Sequence, residues 1–190
     1  MEAVNHENKV FEKISFSQKE LKNRTFEKCT FNSCDFSNSN LSVCIFNECR
    51  FNNCNMAMTK FNKTKLTDIF FKDCKLIGIN FYECNDFMFS VNFENCMLDY
   101  ASFAAKKMAK TKFVNTSLKE TNFSNADISG AVFQNCNLEG TLFNRTQLKN
   151  TDFTAAYNYN IDPEVNFIKK ARFSKDRLEG LLVKYDIIFE

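Results

Sequence analysis

The chain has 190 residues, and its 25 lysines and arginines nearly balance its 23 aspartates and glutamates. A formal net charge of +2 provides no strong field for attracting a polyanion, so nucleic acid is not an expected partner. The first ten residues are polar and contain no apolar run, which argues against a signal peptide or a membrane span and favours a cytoplasmic location.

Residues 1–10 form a polar lead-in, and a regular pattern begins after it. A Phe, Leu, Met or Ile stands at every fifth position from Phe11 to Phe153, with one slip of two residues between Phe81 and Met88. We call these positions centres. The residue two places before a centre is mostly Cys, Thr, Ser or Ala, and the other three are mostly polar. Two inward residues in five fit neither the period of an α-helix nor that of an ordinary β-strand.

Centres that lie twenty residues apart share residue types. One series, interrupted only by the slip, consists entirely of phenylalanine: Phe11, Phe31, Phe51, Phe71, Phe93, Phe113, Phe133 and Phe153. Four five-residue steps that close a square would place such residues above one another, with coils about 4.8 Å apart as in adjacent β-strands. The pattern therefore predicts an all-β coil of about seven twenty-residue turns over residues 11–153.

The repeat consists of a small residue, a polar residue, Phe or Leu, and two variable residues, as in residues 126–130 (Ala-Asp-Ile-Ser-Gly) and 136–140 (Cys-Asn-Leu-Glu-Gly). It resembles the pentapeptide-repeat proteins. This resemblance implies a right-handed quadrilateral β-helix that is stabilised coil by coil and needs a cap at its ends.

The resemblance also suggests a function. Its best-characterised members, the Qnr-like quinolone-resistance proteins, resemble a DNA duplex through an acidic surface and bind DNA gyrase or topoisomerase IV. Since this chain is not acidic, we expect a non-enzymatic protein-interaction rod with an undefined protein partner. The alternative is a DNA mimic that binds and protects a type II topoisomerase.

The residue types of common catalytic and metal sites are missing from the repeats. There is no HExxH, no GxSxG and no glycine-rich phosphate loop, and the only histidine, His6, precedes the repeats. A rod filled with Phe and Leu also leaves no interior cavity for a substrate. We therefore predict no enzymatic activity, no cofactor and no metal.

All nine cysteines stand two residues before a centre, when Cys84 is counted in the phase that leads into the slip. This placement predicts small, buried, apolar side chains that are interchangeable with Ala and Thr. Stacked cysteines would lie within the Cα separation that a disulfide allows, but their odd number and a reducing cytoplasm argue against bridges.

The slip predicts a bulge within residues 82–87. Aromatic residues accumulate around it at places expected to face outward, and we take them as candidate partner-binding residues: Phe70, Tyr82, Phe87, Phe89 and Tyr100. The alternative is that Phe87 or Phe89 folds back against the coil and binds nothing.

A lysine-rich segment follows, in which Lys106 occupies an inward place that is normally small. Either the coil opens there, or the lysine extends outward to solvent. Lys106 and Lys107 complete the candidate partner-binding set. With Lys110 and Lys112 they have the chemistry to meet phosphates, but a solvated, solubilising edge is the favoured interpretation.

Residues 154–190 are expected to form a helical cap over the last coil. Asp162 and Pro163 are typical of a helix start, which predicts a helix to about Lys170. A second helix is expected from Ser174, and a short strand over residues 186–190. In several relatives this end joins two rods. We therefore also expect a homodimer through Ile187, Ile188 and Phe189.

Overall fold

The computed structural model describes residues 4–188. Its strands are short and pair only in parallel. They are β1 Val4–Glu7, β2 Val10–Glu12, β3 Arg24–Glu27, β4 Thr30–Asn32, β5 Ile45–Asn47, β6 Arg50–Asn52, β7 Lys65–Thr67, β8 Ile69–Lys72, β9 Val91–Glu94, β10 Lys112–Val114 and β11 Val132–Gln134.

The strands line two sides of a square coil. The first face carries the sheet β1-β3-β5-β7, and the second face carries the sheet β2-β4-β6-β8-β9-β10-β11. Single parallel bridges such as Asp35↔Asn55 hold the third face, and bridges such as Asn40↔Lys60 hold the fourth. The register is twenty residues. The predicted β-solenoid of about seven twenty-residue turns is confirmed.

The chain can turn at each step because of the residue two places after a centre. In nearly every step this residue has a positive φ, as in Asn38 (55°) and Asn95 (53°), and Gly78, Gly130 and Gly140 fill three of these places. Asn and Gly tolerate this left-handed conformation better than other residues. A hydrogen bond then closes the corner, for example from Ser39 N to Phe36 O (2.9 Å).

The core is a shaft of stacked side chains. From Leu21 to Phe153 every predicted centre is buried, apart from Met88. The rings of Phe31 and Phe51 lie 4.7 Å apart between centroids and only 8° from parallel. At the small inward places, Thr and Cys share one role, since Thr64 Oγ1 donates to Leu41 O and Cys54 Sγ donates to Phe31 O. Centres that lie twenty residues apart in the sequence therefore stack above one another in columns, as predicted.

The solenoid begins earlier than predicted. β1 pairs with β3, which places His6 directly beside Phe26, and their rings stack at 4.9 Å. The prediction that His6 lies outside the repeats is therefore wrong: it occupies the centre of the first described step. The flat aromatic ring of a histidine can stack on a phenylalanine ring there as a second phenylalanine would. Partial burial, together with nearby Lys9 and Arg24, lowers its pKa.

The solenoid also continues beyond Phe153. The helix expected from Asp162 to Lys170 does not form. Instead the chain turns once and resumes the coil, and Phe173 stacks on Phe153 at 5.2 Å with the rings 6° from parallel. Ile168 and Phe173 keep the five-residue spacing and pack against the core, so burial overrides the local preference for a helix.

A short helical cap follows, as predicted, but it consists of 3-10 turns at Lys175–Leu181 and Val183–Tyr185. Ser174 caps the first turn by accepting a hydrogen bond from Asp176 N. Tyr159 fastens the cap to the coil, because its hydroxyl donates to Arg177 O at 2.5 Å. No strand forms up to Ile188, and Phe189 lies outside the described residues. None of the helical segments in residues 4–188 has the length and hydropathy needed to cross a bilayer.

Candidate functional site

The largest irregularity of the rod lies between Phe81 and Val91, where the coil contains two additional residues. A 3-10 turn at Phe81–Glu83 leads into a loop that ends at Ser90. Met88 has a φ of 55° and is 63% exposed, whereas Phe89 is only 7% exposed. The prediction that Met88 is a centre is therefore wrong. The left-handed turn falls on Met88, and this directs the following Phe89 into the core.

The tip of this loop presents two large apolar side chains to solvent. Phe87 is 69% exposed and lies next to the exposed Met88 in the chain. The side chain of Asn85 shapes the turn by accepting a hydrogen bond from Phe87 N at 2.8 Å. On the first face, Lys65 Nζ lies 5.9 Å from the centroid of the Phe87 ring. We call Phe87 and Met88 the knob.

The loop that carries the knob is anchored at both ends. On the entry side, Asn85 N donates to Thr64 O at 2.9 Å. On the exit side, Ser90 N donates to Leu66 O at 3.0 Å, and Ser90 Oγ donates to Asp68 Oδ1 at 3.1 Å. Hydrogen bonds to the preceding coil thus fix both ends of the loop.

Lys106 anchors the loop from the opposite side. Its Nζ donates to Cys84 O and to Asp86 Oδ1, both at 2.5 Å, and lies 5.3 Å from the centroid of the Phe89 ring. Lys106 is 1% exposed, so it neither extends outward nor opens the coil. The bulge instead supplies the polar partners that a buried ammonium group requires. Burial also removes Lys106 from the residues that can contact a partner directly.

The other predicted site residues are distributed around the rod. Phe70 pairs with Arg50 on the second face and is half-buried, with the guanidinium 5.8 Å from its ring centroid. Tyr82 is exposed beside the fourth face, where its N–H donates to Ser102 O. Tyr100 is exposed beside the third face.

The five aromatic residues therefore do not form one surface. The chain turns a corner at each five-residue step, so residues close in sequence point in different directions. Of the aromatic set, Phe87 alone belongs to the knob, and Phe89 is buried beneath it. Lys107 is exposed on the first face, where its backbone forms a parallel β-bridge with the backbone of Asp127. The sequence pattern missed Met88, since its apolar character suited a centre equally well.

The C-terminal segment leaves apolar side chains in solvent. Ile187 and Ile188 are exposed, and Ile188 is 89% exposed. Phe189, the third residue of the predicted dimer contact, lies outside the described residues. The homodimer stays a prediction.

The nine cysteines are buried and unbridged, which confirms the prediction that they serve as small core residues. Burial raises the pKa values of Cys49, Cys84 and Cys136 to about 12. These thiols are therefore poor nucleophiles at neutral pH.

The surface charges do not form the pattern of a DNA duplex. The twenty-residue register shows which side chains line each face. Along the third face, Asp35 is followed by Asn55, Lys75, Met97 and Ser117. Along the second face, the outward column runs from Thr30 through Arg50 and Phe70 to Asn92. Within residues 4–188 no face carries a continuous acidic stripe.

Sequence comparison agrees with this architecture. A family model described as a pentapeptide repeat region matches residues 24–103 and 86–157, which together make up more than half of the chain. The chain belongs to the pentapeptide-repeat family. No curated protein matches its sequence.

Solved pentapeptide-repeat structures resemble the fold. A trypsin-treated variant of QnrB1, a plasmid-mediated fluoroquinolone resistance protein, is 16% identical, with both chains fully covered and a TM-score of 0.57. Full-length QnrB1 is 18% identical over 96% of this chain and 100% of its own, with a TM-score of 0.46. HetL, which is involved in heterocyst differentiation in the cyanobacterium Nostoc sp. strain PCC 7120, is 13% identical over 89% and 86%, with a TM-score of 0.31. The likeness to the trypsin-treated QnrB1 variant, at 16% identity, extends to the fold alone.

Proposed function

We propose that this pentapeptide-repeat chain is a non-enzymatic, protein-binding rod of the cytoplasm and that the knob is its main contact. The observation that carries the proposal is the exposure of Phe87 and Met88, two adjacent large apolar side chains, on an anchored loop. Such side chains dominate the binding energy when a partner desolvates them. Because hydrogen bonds anchor both ends of the loop, we expect binding to cost less conformational entropy than it would on an unanchored loop.

The rest of the rod supports a binding role. Phe, Leu and small residues fill the shaft, so the outer walls are the surface through which the molecule can act. The grooves on those walls open to solvent, whereas most small-molecule sites are enclosed cavities. Nine unbridged thiols fit a reducing compartment such as the cytoplasm.

Capture from host extract tests the proposal with three immobilised proteins. These are the wild type, the knob variant Phe87→Ser/Met88→Ser, and the control Met97→Ser/Tyr100→Ser, which removes two exposed apolar side chains from the third-face side. We expect that at least one host protein binds to the wild type and to the control but not to the knob variant. The circular dichroism spectra of the three immobilised proteins should be the same. Equal retention by all three proteins would exclude the knob as the contact.

The second candidate is protection of a type II topoisomerase. The similarity to the fold of the trypsin-treated QnrB1 variant, which covers both chains completely, favours it. The mixed charges on the faces weigh against DNA mimicry, because a mimic must replace the phosphates with carboxylates. A gyrase supercoiling assay with a fluoroquinolone provides the test. Restored supercoiling on adding the protein would support this candidate, and unchanged inhibition would remove it.

We also propose that two rods join through the C-terminal segment that contains Ile187 and Ile188. Exposed apolar residues at one end of a rod are typical of a contact between copies. Sedimentation or light scattering measures this directly.

A further inference from the structure

One corner of the rod, between the first and second faces on the C-terminal side of the bulge, gathers exposed lysines from two distant segments. We call it the basic corner, and it consists of Lys107, Lys110, Lys112, Lys149, Lys169 and Lys170. The coil register brings them together. Lys110 N donates to Ser129 O, Gly130 N donates to Lys149 O, and Asn150 N donates to Lys169 O. In the sequence, the two groups are separated by more than thirty residues.

These lysines are not neutralised. Among residues 4–188, none of the six forms an ion pair. Lysines elsewhere do so, for example Lys72 with Glu94 and Lys119 with Glu139, both at 2.7 Å. The corner therefore has an excess of positive charge that the net charge of the whole chain conceals.

Two carboxylates lie within the basic corner. Asp152 is paired with Arg172, with the nearest N and O atoms 3.4 Å apart, so its charge is already balanced. Asp127 lies on the first face between Lys107 and Gln147, its neighbours in the adjacent coils. The positive charge is thus interrupted at one defined place.

A surface groove connects the basic corner to the loop that carries the knob. It has a volume of about 400 Å³ and is lined by Phe89, Ser90 and Asn92 of the bulge side and by Lys107 and Lys110 of the corner. Lys110 and Lys170 are three coils apart, which is about 14 Å at the spacing of β-strands, and the knob lies one coil further. At about 3.3 Å per residue, an extended segment of about six residues spans the full length of about 19 Å from the knob to Lys170.

We infer that the basic corner binds an acidic segment of the same protein partner whose apolar side chain meets the knob. The inference rests on the proposed function and names the chemistry of the partner. Complementary charge accelerates association and fixes the orientation of a partner around a small apolar contact.

The interruption at Asp127 favours a protein over a nucleic acid. A nucleic acid backbone carries a phosphate on every nucleotide, so it would place a negative charge close to this carboxylate. A protein segment can place a neutral or basic residue there. The knob also provides an apolar contact beside the corner, as protein interfaces do.

Two charge-reversal variants test the inference. Lys107→Glu/Lys110→Glu/Lys112→Glu alters the basic corner. The control Lys60→Glu/Lys63→Glu/Lys75→Glu makes the same change in net charge with exposed lysines of the third face, the fourth face and the corner between the fourth and first faces. Thermal melting shows that each variant is folded. If a Glu variant does not fold, the same lysines are changed to Gln and the Gln variant replaces it in the test.

The probes are a fluorescent decapeptide of Glu and Asp with one central Leu, its Gln and Asn counterpart, and a single-stranded oligothymidylate of ten nucleotides. Fluorescence anisotropy should show that the acidic peptide binds the wild type and the control alike. We expect binding at least about tenfold weaker for the corner variant and for the neutral peptide, and weaker at high salt.

Absence of peptide binding, or equal loss in both variants, would overturn the inference. The inference would also be overturned if the wild type bound the oligothymidylate more tightly than the acidic peptide and only the corner variant lost that binding. This result would assign the basic corner to nucleic acid. The proposed function fails separately. In another outcome, the acidic peptide binds while the knob variant captures the same host proteins as the wild type. This result would support the basic corner as a binding site and exclude the knob as the main contact.

Discussion

Lys106 and Asp86 form an ion pair in which Nζ and Oδ1 are 2.5 Å apart, the lysine side chain is almost fully buried, and the aspartate side chain is 78% exposed. The pair connects two irregularities of the repeat. One is a charged residue at an inward place, and the other is an insertion of two residues one coil earlier. The insertion provides the carbonyl of Cys84 and the carboxylate of Asp86 for the ammonium group, so each irregularity makes the other tolerable.

Removal of this lysine should loosen the loop that carries the knob. Lys106→Ala leaves Cys84 O without its buried donor, and we expect the free energy of unfolding to fall by about 2 kcal/mol. Denaturant titration measures the change. The exposed neighbour Lys107→Ala is the control and should change stability by less than about 0.5 kcal/mol. Equal stability of the two variants would show that the contacts of Lys106 with Cys84 and Asp86 are not important for folding.

The first coil should depend on pH through His6. Its pKa is lower in the folded chain than the ordinary value of 6.5, so the unfolded state binds more protons. Its contribution to stability is fully present above pH 6.5 and is lost as the pH falls through the lowered folded value. Hydrogen exchange, corrected for the intrinsic rate, should therefore show that the β1 amides are less protected at about pH 5 than at about pH 7.5.

His6→Phe provides the comparison for this prediction. It extends the column of rings above Phe26 and removes the titrating group. The protection of β1 should then be the same at both pH values. A pH dependence that persists in this variant would assign the effect to another group.

The cysteines should be unreactive in the native protein. All nine are buried, so iodoacetamide cannot reach them, and burial also raises the pKa values of Cys49, Cys84 and Cys136 to about 12. Iodoacetamide should leave the mass of the native protein unchanged over an hour and should modify all nine cysteines after denaturation. Rapid modification of the native protein would mean that the shaft opens.

The exposed isoleucines provide a test of the dimer. Ile187→Asp/Ile188→Asp places two charges where an apolar contact is proposed, and we expect the mass measured by light scattering to fall by half. Leu142→Asp introduces a charge at another exposed apolar site, on the fourth face, and should leave the mass unchanged. A wild type of monomer mass would contradict the proposal directly.

Much of the fold was predictable because the repeat acts locally. A small residue, a large apolar centre and a turn residue within five positions are sufficient to define one side of the square, and the Phe column then sets the register. The site was less predictable, because the insertion interrupts that local rule. Both Met88 and Phe89 are apolar, and only the position of the left-handed turn decides which of them enters the core.

The amino-acid sequence by itself determined the period, the identity of the columns and the burial of the cysteines, since each depends on residues within one coil or directly above it. The tertiary structure alone decided three other features. It extended the coil through His6 and Phe173, it buried Lys106 against the bulge, and it joined Lys110 to Lys149 and Lys169 in one corner. The physical reason is that neighbours across coils are separated by twenty or more residues, so their charges and hydrogen bonds are set by stacking and not by local preference.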